Sequence, residues 1–364
     1  MKKLLLATAV AALSLSSVQA APTLYGKLNV TLDNVDMGDE SEVQLNSNAS
    51  RIGVKGEEKI TDSISAVYQA EWAVATDGSG SDTDLSARNR FGGLKFANVG
   101  TLKAGNYDSY FKTAAGGEQD IFNDLVADMK SAVHGEERLK NVVGFETDPS
   151  LLGGLQFNIM LQQGEGSASA YTEEERDGLG DGVSTSVTYE NDDMGLAVAL
   201  AGNFGVPGDY NALGLKDVES DAVRLTGSLD FSNMGMKGFV LGGMWQTAEL
   251  SDSPSAATLA STVIGKDKDG NAVFAKPAAA SAEESAWGLT ASFKIPDTAL
   301  TIQGQYLSSE TEWDGGEDTI DIYGMVASYK LNSATKAFGV ISQIDQDSKK
   351  DETTVVGLGM EVKF

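Results

Sequence analysis

From about residue 22 onward, apolar and polar residues alternate with a period of two. Val356, Leu358, Met360, Val362 and Phe364 fall on one face; Gly357, Gly359, Glu361 and Lys363 fall on the other. The same alternation places Ile64, Ala66, Tyr68, Ala70, Trp72 and Val74 opposite Ser65, Val67, Gln69, Glu71 and Ala73. It recurs at Leu155, Phe157, Ile159 and Leu161, at Phe239, Leu241, Gly243 and Trp245, and at Leu300, Ile302, Gly304 and Tyr306. An amphipathic helix needs apolar residues at i, i+3 and i+4, and these windows lack that spacing. The pattern predicts sixteen strands near 22–33, 48–58, 62–76, 84–97, 101–107, 138–147, 153–164, 182–191, 195–204, 219–231, 236–249, 284–295, 298–310, 317–331, 334–345 and 353–364. The segment at 334–345 alternates least.

The connections alternate in length. Short ones carry turn residues, as at Asn98-Val99-Gly100, Asp192-Asp193-Met194, Asn233-Met234-Gly235, Pro296-Asp297 and Asn332-Ser333. Long ones span 34–47, 77–83, 108–137, 165–181, 205–218, 250–283, 311–316 and 346–352, and they are polar and acidic. A soluble sandwich, propeller or β-helix has no need of such alternation. A transmembrane barrel has one end of short turns and one of long loops, an apolar face toward lipid and a polar face toward a watery lumen. The polar faces here carry Gln, Asn, Ser, Lys, Arg and Glu, which would fill a dry core poorly. The expected fold is therefore all-β: a transmembrane antiparallel β-barrel in which the first strand closes against the last, because open edges are not tolerated in hydrocarbon. Both termini then lie at the periplasmic end.

Residues 1–20 depart from this pattern. Lys2 and Lys3 precede an apolar run from Leu4 to Leu15, and Val18-Gln19-Ala20 places small residues before a cleavage point. This reads as a signal peptide, leaving residues 21–364 as one barrel domain.

Composition narrows the chemistry. The net charge is −26, from 27 basic and 53 acidic residues, with no cysteine and one histidine, His134. Disulfides, thiolate nucleophiles and Cys-built zinc sites are excluded, and so are His-based metal centres. The acidity argues against a nucleic-acid partner. No metal or other cofactor and no catalytic residue is expected, and His134 reads as a loop residue without chemistry. Much of the acidic charge falls in predicted loops, at Asp36, Asp39, Glu40, Glu173, Glu174, Glu175, Asp314, Glu317 and Asp318. These loops either are simply solvated or hold divalent cations that bridge to lipopolysaccharide. The run Asp267-Lys268-Asp269-Gly270-Asn271 lacks the glutamate of a calcium loop and reads as a turn.

Sixteen strands enclose a lumen too wide for side chains to fill. The connection 108–137 has an apolar middle, Ile121-Phe122-Asn123-Asp124-Leu125-Val126. Folded against the wall, it would bury Ile121, Phe122, Leu125 and Val126 and present Glu118, Asp120, Asp124 and Asp128 to the channel. The alternative is a surface loop with one amphipathic turn. Basic residues on inward faces of the early strands are Lys27, Arg51, Arg88, Arg138 and Lys140, with Arg90 and Lys103. Arg88 and Arg90 are two apart on one strand face. A cation facing lipid mid-strand costs about 2–4 kcal/mol, so these residues face water. Spacing alone leaves open whether they form one cluster or scattered charge.

Several stretches resemble Gram-negative general diffusion porins. They are Leu24-Tyr25-Gly26-Lys27-Leu28-Asn29-Val30, Ser50-Arg51-Ile52-Gly53-Val54-Lys55-Gly56-Glu57-Glu58 and Ala87-Arg88-Asn89-Arg90-Phe91-Gly92-Gly93-Leu94-Lys95 with Gly100 to Gly105. Arg138-Leu139-Lys140-Asn141-Val142-Val143-Gly144-Phe145 and the aromatic C-terminal strand complete the likeness. The resemblance implies a trimeric sixteen-stranded barrel whose third loop folds into the pore. It implies a basic wall of Lys27, Arg51, Arg88 and Arg138 opposed by acidic Asp120 and Asp124. The Pro-Glu-Phe-Gly-Gly stretch of the enteric members is missing. The implied function is passive outer-membrane diffusion of ions and small hydrophilic solutes. The alternatives are a substrate-selective channel with an internal binding track, a barrel enzyme that would depend on His134, and a secreted adhesin or calcium-binding β-solenoid.

Overall fold

The computed structural model describes residues 21–78, 85–114, 119–165, 167–168, 175–251, 263–266, 272–274 and 281–364. Residues 1–20, read above as a signal peptide, Glu118, Glu173, Glu174 and the run 267–271, read above as a turn, lie outside them, and of Glu175 only the backbone is described.

One antiparallel sheet closes on itself as a sixteen-stranded barrel. The first strand, β1, is Thr23–Asp36. The second, β2, comes in two segments, Ser41–Ser47 and Arg51–Lys59, and both pair with β1. Between them the Asn48 amide donates to the Asn29 carbonyl at 2.8 Å, and a side chain adds to the ladder. Ser50 Oγ accepts from the Asn29 amide at 2.9 Å and donates to the Asn29 carbonyl at 3.1 Å. The wall continues through β3 (Ile64–Val74), β4 (Leu85–Phe96), β5 (Gly100–Asp108), β6 (Arg138–Thr147), β7 (Leu155–Gln163) and β8 (Leu179–Asn191). It goes on with β9 (Leu196–Tyr210), β10 (Leu215–Asp230), β11 (Phe239–Leu250) and β12 (Glu283–Lys294). It ends with β13 (Leu300–Trp313), β14 (Gly316–Lys330), β15 (Thr335–Gln346) and β16 (Thr353–Lys363).

Closure follows the register Lys27↔Lys363 to Asp36↔Thr354 between β1 and β16. Gly26 N donates to Phe364 O at 2.8 Å, and Phe364 N donates back at 3.0 Å. The Phe364 ring lies over Gly26, where a Cβ would stand 2.4 Å from it, so only glycine fits. With every strand paired, no edge is left open.

Burial is inverted relative to a soluble barrel. On β1 and β16 the apolar Leu28, Leu32, Val356 and Leu358 are exposed, whereas Asn29, Thr31, Asp33 and Glu361 are buried. A lipid-facing exterior around a polar interior produces this order, and a sandwich core does not.

Several boundaries differ from those the pattern predicts. The first long connection shrinks, because β1 runs to Asp36 and a strand covers Ser41–Ser47. β9 and β10 extend to Tyr210 and from Leu215. Glu317 and Asp318, counted above with the loop charge although the predicted strand begins at 317, belong to β14, where Asp318 is buried and accepts from Gln346 Nε2 at 2.8 Å. The weakly alternating segment near 334–345 is β15.

Candidate functional site

The chain between β5 and β6 threads along the buried faces of β8 to β15. Ser109 caps one helical turn, Tyr110–Thr113, by accepting from Lys112 N at 3.0 Å. The Phe111 amide donates to Ser184 Oγ on β8 at 3.1 Å. The β10 hydroxyl of Thr226 donates to the Ala114 carbonyl at 2.6 Å, and Gln119 Nε2 donates to the Gly227 carbonyl at 2.6 Å. Phe122 is fully buried among Met244, Leu307, Ile320, Ile322, Val326, Phe338 and Val340. Its ring occupies the space where a Cβ of Gly324 would stand, 2.5 Å away. Ile121 and Leu125 pack on the same cluster.

A second set of contacts is ionic and buried. Arg224 on β10 has no exposed surface, and its Nη1 lies 2.6 Å from Glu136 Oε1. Its Nη2 donates to the His134 carbonyl at 3.2 Å, its Nε donates to Gln246 Oε1 at 2.8 Å, and its guanidinium stacks over Phe111 at 4.3 Å. The His134 amide donates to Glu284 Oε1 at 3.0 Å. The His134 ring is buried against Tyr210, with centroids 5.0 Å apart. Burial, assisted by the Arg224 charge, pulls the imidazole pKa down to about 4. It is therefore neutral at ordinary pH, walled in, and tied to structure rather than to chemistry.

Opposite this packed side lies a cavity of about 1140 Å3, lined by Arg51, Arg88, Arg138, Asp124 and Asp128 among others. Strands β1 to β6, β16 and the intervening segment bring charges together around it. Lys27 Nζ stands 2.7 Å from Asp124 Oδ2 and 3.7 Å from Glu361, and Arg51 Nη2 is 4.0 Å from the same Asp124 oxygen. Asp124 sits at φ 70°, a left-handed conformation held by its amide, which donates to Asp128 Oδ2 at 2.8 Å. Glu71 on β3 accepts from Arg88 Nε at 2.7 Å and from the Tyr25 hydroxyl at 3.0 Å, and lies 3.9 Å from Arg51. Arg138 is 2.9 Å from Asp108 and donates through Nε to Asn89 at 2.6 Å.

Lys27, Arg51, Arg88 and Arg138 thus share one region with Asp124. Asp120 stands apart. Its carboxylate accepts from Asn123 Nδ2 and makes no ion pair with the four basic residues. Burial first, then the Asp128 and Glu136 carboxylates, push its pKa up to about 7. The spacing places Arg88 and Arg90 on one face, but a bulge intervenes: Ala70 pairs with Arg90 while Trp72 pairs with Ala87. Arg88 reaches Glu71, and Arg90 is exposed. Sequence reasoning missed Glu71, Asp108, Glu136, Arg224 and Glu284. Glu71 and Arg224 each sit on the polar face of an alternating strand, which is the one signal available for them.

Comparison with known proteins bears on this arrangement. The family model described as Gram-negative porin matches residues 6–349. An outer membrane porin protein OmpD of Salmonella typhimurium is 24% identical over 395 residues, covering 100% of both chains. Outer membrane porin F of Xenorhabdus nematophila is 30% identical over 189 residues, covering 50% of this chain and 49% of its own. Among solved structures, an anion-selective porin from Comamonas acidovorans superposes with a TM-score of 0.69 at 15% identity, covering 94% of this chain and 99% of that one.

Proposed function

Because the chain belongs to the Gram-negative porin family and forms an outer-membrane channel for passive diffusion rather than an enzyme, we propose that its permeation path is narrowest between the basic wall and the segment 119–137. Lys27, Arg51, Arg88 and Arg138 form one side of this constriction. Asp124 is the chief acidic residue opposite, with Asp120 and Asp128 adding charge behind it. The single observation that carries the reading is the meeting of Lys27 and Arg51 at one Asp124 oxygen beside the large cavity. Lys27 and Arg51 tie Asp124 to the wall, and the charges that line the cavity beside this contact orient dipolar solutes and water while size limits what passes. The solutes are ions and small hydrophilic molecules.

The same reading includes a homotrimer, contact with outer-membrane lipid and lipopolysaccharide, an export signal at 1–20, and one barrel domain over 21–364. Planar-bilayer recording of the purified protein tests it. Closure in three equal steps is expected from a trimer of open pores, and no conductance at any voltage would sink the channel assignment. Deleting residues 116–132 should raise single-channel conductance and admit larger sugars. Unchanged permeability in a correctly assembled deletion would count against the constriction.

A further inference from the structure

Below Lys27, at the end of the barrel that carries the short turns, a second cavity of about 310 Å3 is lined by Lys330, Lys336, Lys363, Glu361, Thr301 and Gln303 among others. Strand alternation fixes where these side chains lie. On β14, Lys330 shares a face with buried Ile322 and Val326, while Tyr323, Met325 and Tyr329 of the other face are exposed. On β15, Lys336 shares a face with buried Phe338 and Val340, and Ile341 is exposed on the other. On β16, Lys363 and Glu361 share a face with Val355, opposite exposed Val356, Leu358 and Met360. The cavity therefore opens to the lumen, not to lipid.

Its charge is unbalanced. Glu361 serves three ammoniums at once: Lys363 at 3.3 Å, Lys336 at 3.7 Å and Lys27 at 3.7 Å. Lys330 makes no ion pair among the described residues. Three lysines thus face a single carboxylate, and the hydroxyl of Thr301 and amide of Gln303 supply further donors without adding charge. A concave surface with low-dielectric walls focuses the field of such a cluster. The long-loop end of the same chain is strongly acidic, and this pocket sets a local basic cluster at the opposite end of the lumen.

We propose that this vestibule is a binding site for small multivalent oxyanions, the class to which inorganic phosphate belongs, and that it makes the channel's response to them depend on the side of entry. The proposal rests on the channel reading above and extends it to a second site, away from the constriction. Flexible ammoniums act as point charges here, so recognition is by charge and donors rather than by a rigid fork.

The test is a planar-bilayer recording of singly oriented channels in potassium chloride, with inorganic phosphate titrated separately into each compartment. Wild type should show a concentration-dependent fall in current, or brief blocking events, from one side only. In Lys330→Gln/Lys336→Gln/Lys363→Gln the phosphate concentration needed for half the effect should rise about tenfold, since lysines within a Debye length each strengthen anion attraction a few-fold. If the triple variant does not assemble, Lys330→Gln alone should shift the midpoint about threefold, because no ion pair among the described residues holds the Lys330 ammonium. Equal phosphate effects from both sides overturn the vestibule, and so does an unchanged midpoint in the variants, which would return the anion to the constriction arginines. Absence of any potassium chloride conductance in wild type would instead defeat the channel reading itself.

Discussion

The two sides of this barrel interior are built from opposite materials. Along β1 to β6 the inner wall is wet: Lys27, Arg51, Arg88 and Arg138 pair with Asp124, Glu71 and Asp108 beside a large cavity, and each keeps some exposed side-chain surface. Along β10 to β15 it is dry: Phe122, Met129 and Val133 of the intervening segment pack on Met244, Leu307, Ile322 and Phe338, and the Arg224–Glu136 pair has almost no contact with solvent. A charge beside water can be exchanged with little effect on stability but a direct effect on the local field. A charge sealed from water cannot lose its partner cheaply. In the proposed constriction, the wet side is therefore free to set selectivity, and the dry side anchors the segment that would narrow the pore.

The contrast is broken most severely at Arg224. Replacing it with methionine leaves Glu136 buried without its partner, and losing one half of a buried pair costs about 3–5 kcal/mol. The variant should unfold at a clearly lower temperature on heat-modifiable gels, and its single channels should be larger and noisier. Arg224→Met combined with Glu136→Leu should recover most of the thermal loss, because a well-packed apolar pair often replaces a buried ion pair without penalty. A double variant as unstable as the single one would show that the network's hydrogen bonds, and not the unpaired charge, dominate.

On the wet side, Arg51→Gln with Arg88→Gln should change stability by only about 1 kcal/mol for each pair lost. The same change should move the reversal potential in a salt gradient toward cations, in both molar and dilute salt. Wild type should be weakly selective in molar salt and drift toward cations on dilution, as the acidic mouth becomes less screened. A reversal potential identical to wild type would remove these arginines from the constriction.

The smallest effect lies at the border between the two sides. Asp120, outside the strands, has its pKa raised from 3.8 to about 7 by burial and by Asp128 and Glu136. The folded protein thus holds this proton more tightly than the unfolded chain. The cost of ionising it builds as pH rises from 3.8 toward 7 and is constant above. Acidifying from pH 8 to 6 should neutralise one carboxyl in the segment, favour the fold slightly, and reduce cation preference. Asp120→Asn should flatten that step in the reversal potential. A pH profile unchanged by the substitution would place the titration elsewhere.

The pattern of the chain was legible where lipid enforces it. Leu28, Leu32, Leu358 and Met360 must alternate with polar residues because one face meets hydrocarbon and the other meets water. It was least legible where strands run past the apolar band. Ser41–Ser47 offers only Val43 and Leu45 as outward apolar residues, Leu45 lying beside Leu32, and the ends of β9 and β10 carry no such alternation, so the segments read as loops. The bulge between β3 and β4 was invisible for a related reason: a period-two count assumes that no residue is inserted, and one insertion alters the phase for Arg88 and Arg90.

Alternation along the chain alone specified the number of strands, the outward face of most of them, the closure of the last strand on the first, and Lys27, Arg51, Arg88 and Arg138 as basic residues available to the interior. Only the tertiary structure decided their partners. Arg88 finds Glu71, Lys27 finds Asp124, and Arg224 finds Glu136, across sequence gaps of 17, 97 and 88 residues. The physical reason is that alternation is a local demand of the solvent on each strand, repeated residue by residue. An ion pair across a lumen exists only after the whole barrel has closed and the segment between β5 and β6 has found its wall.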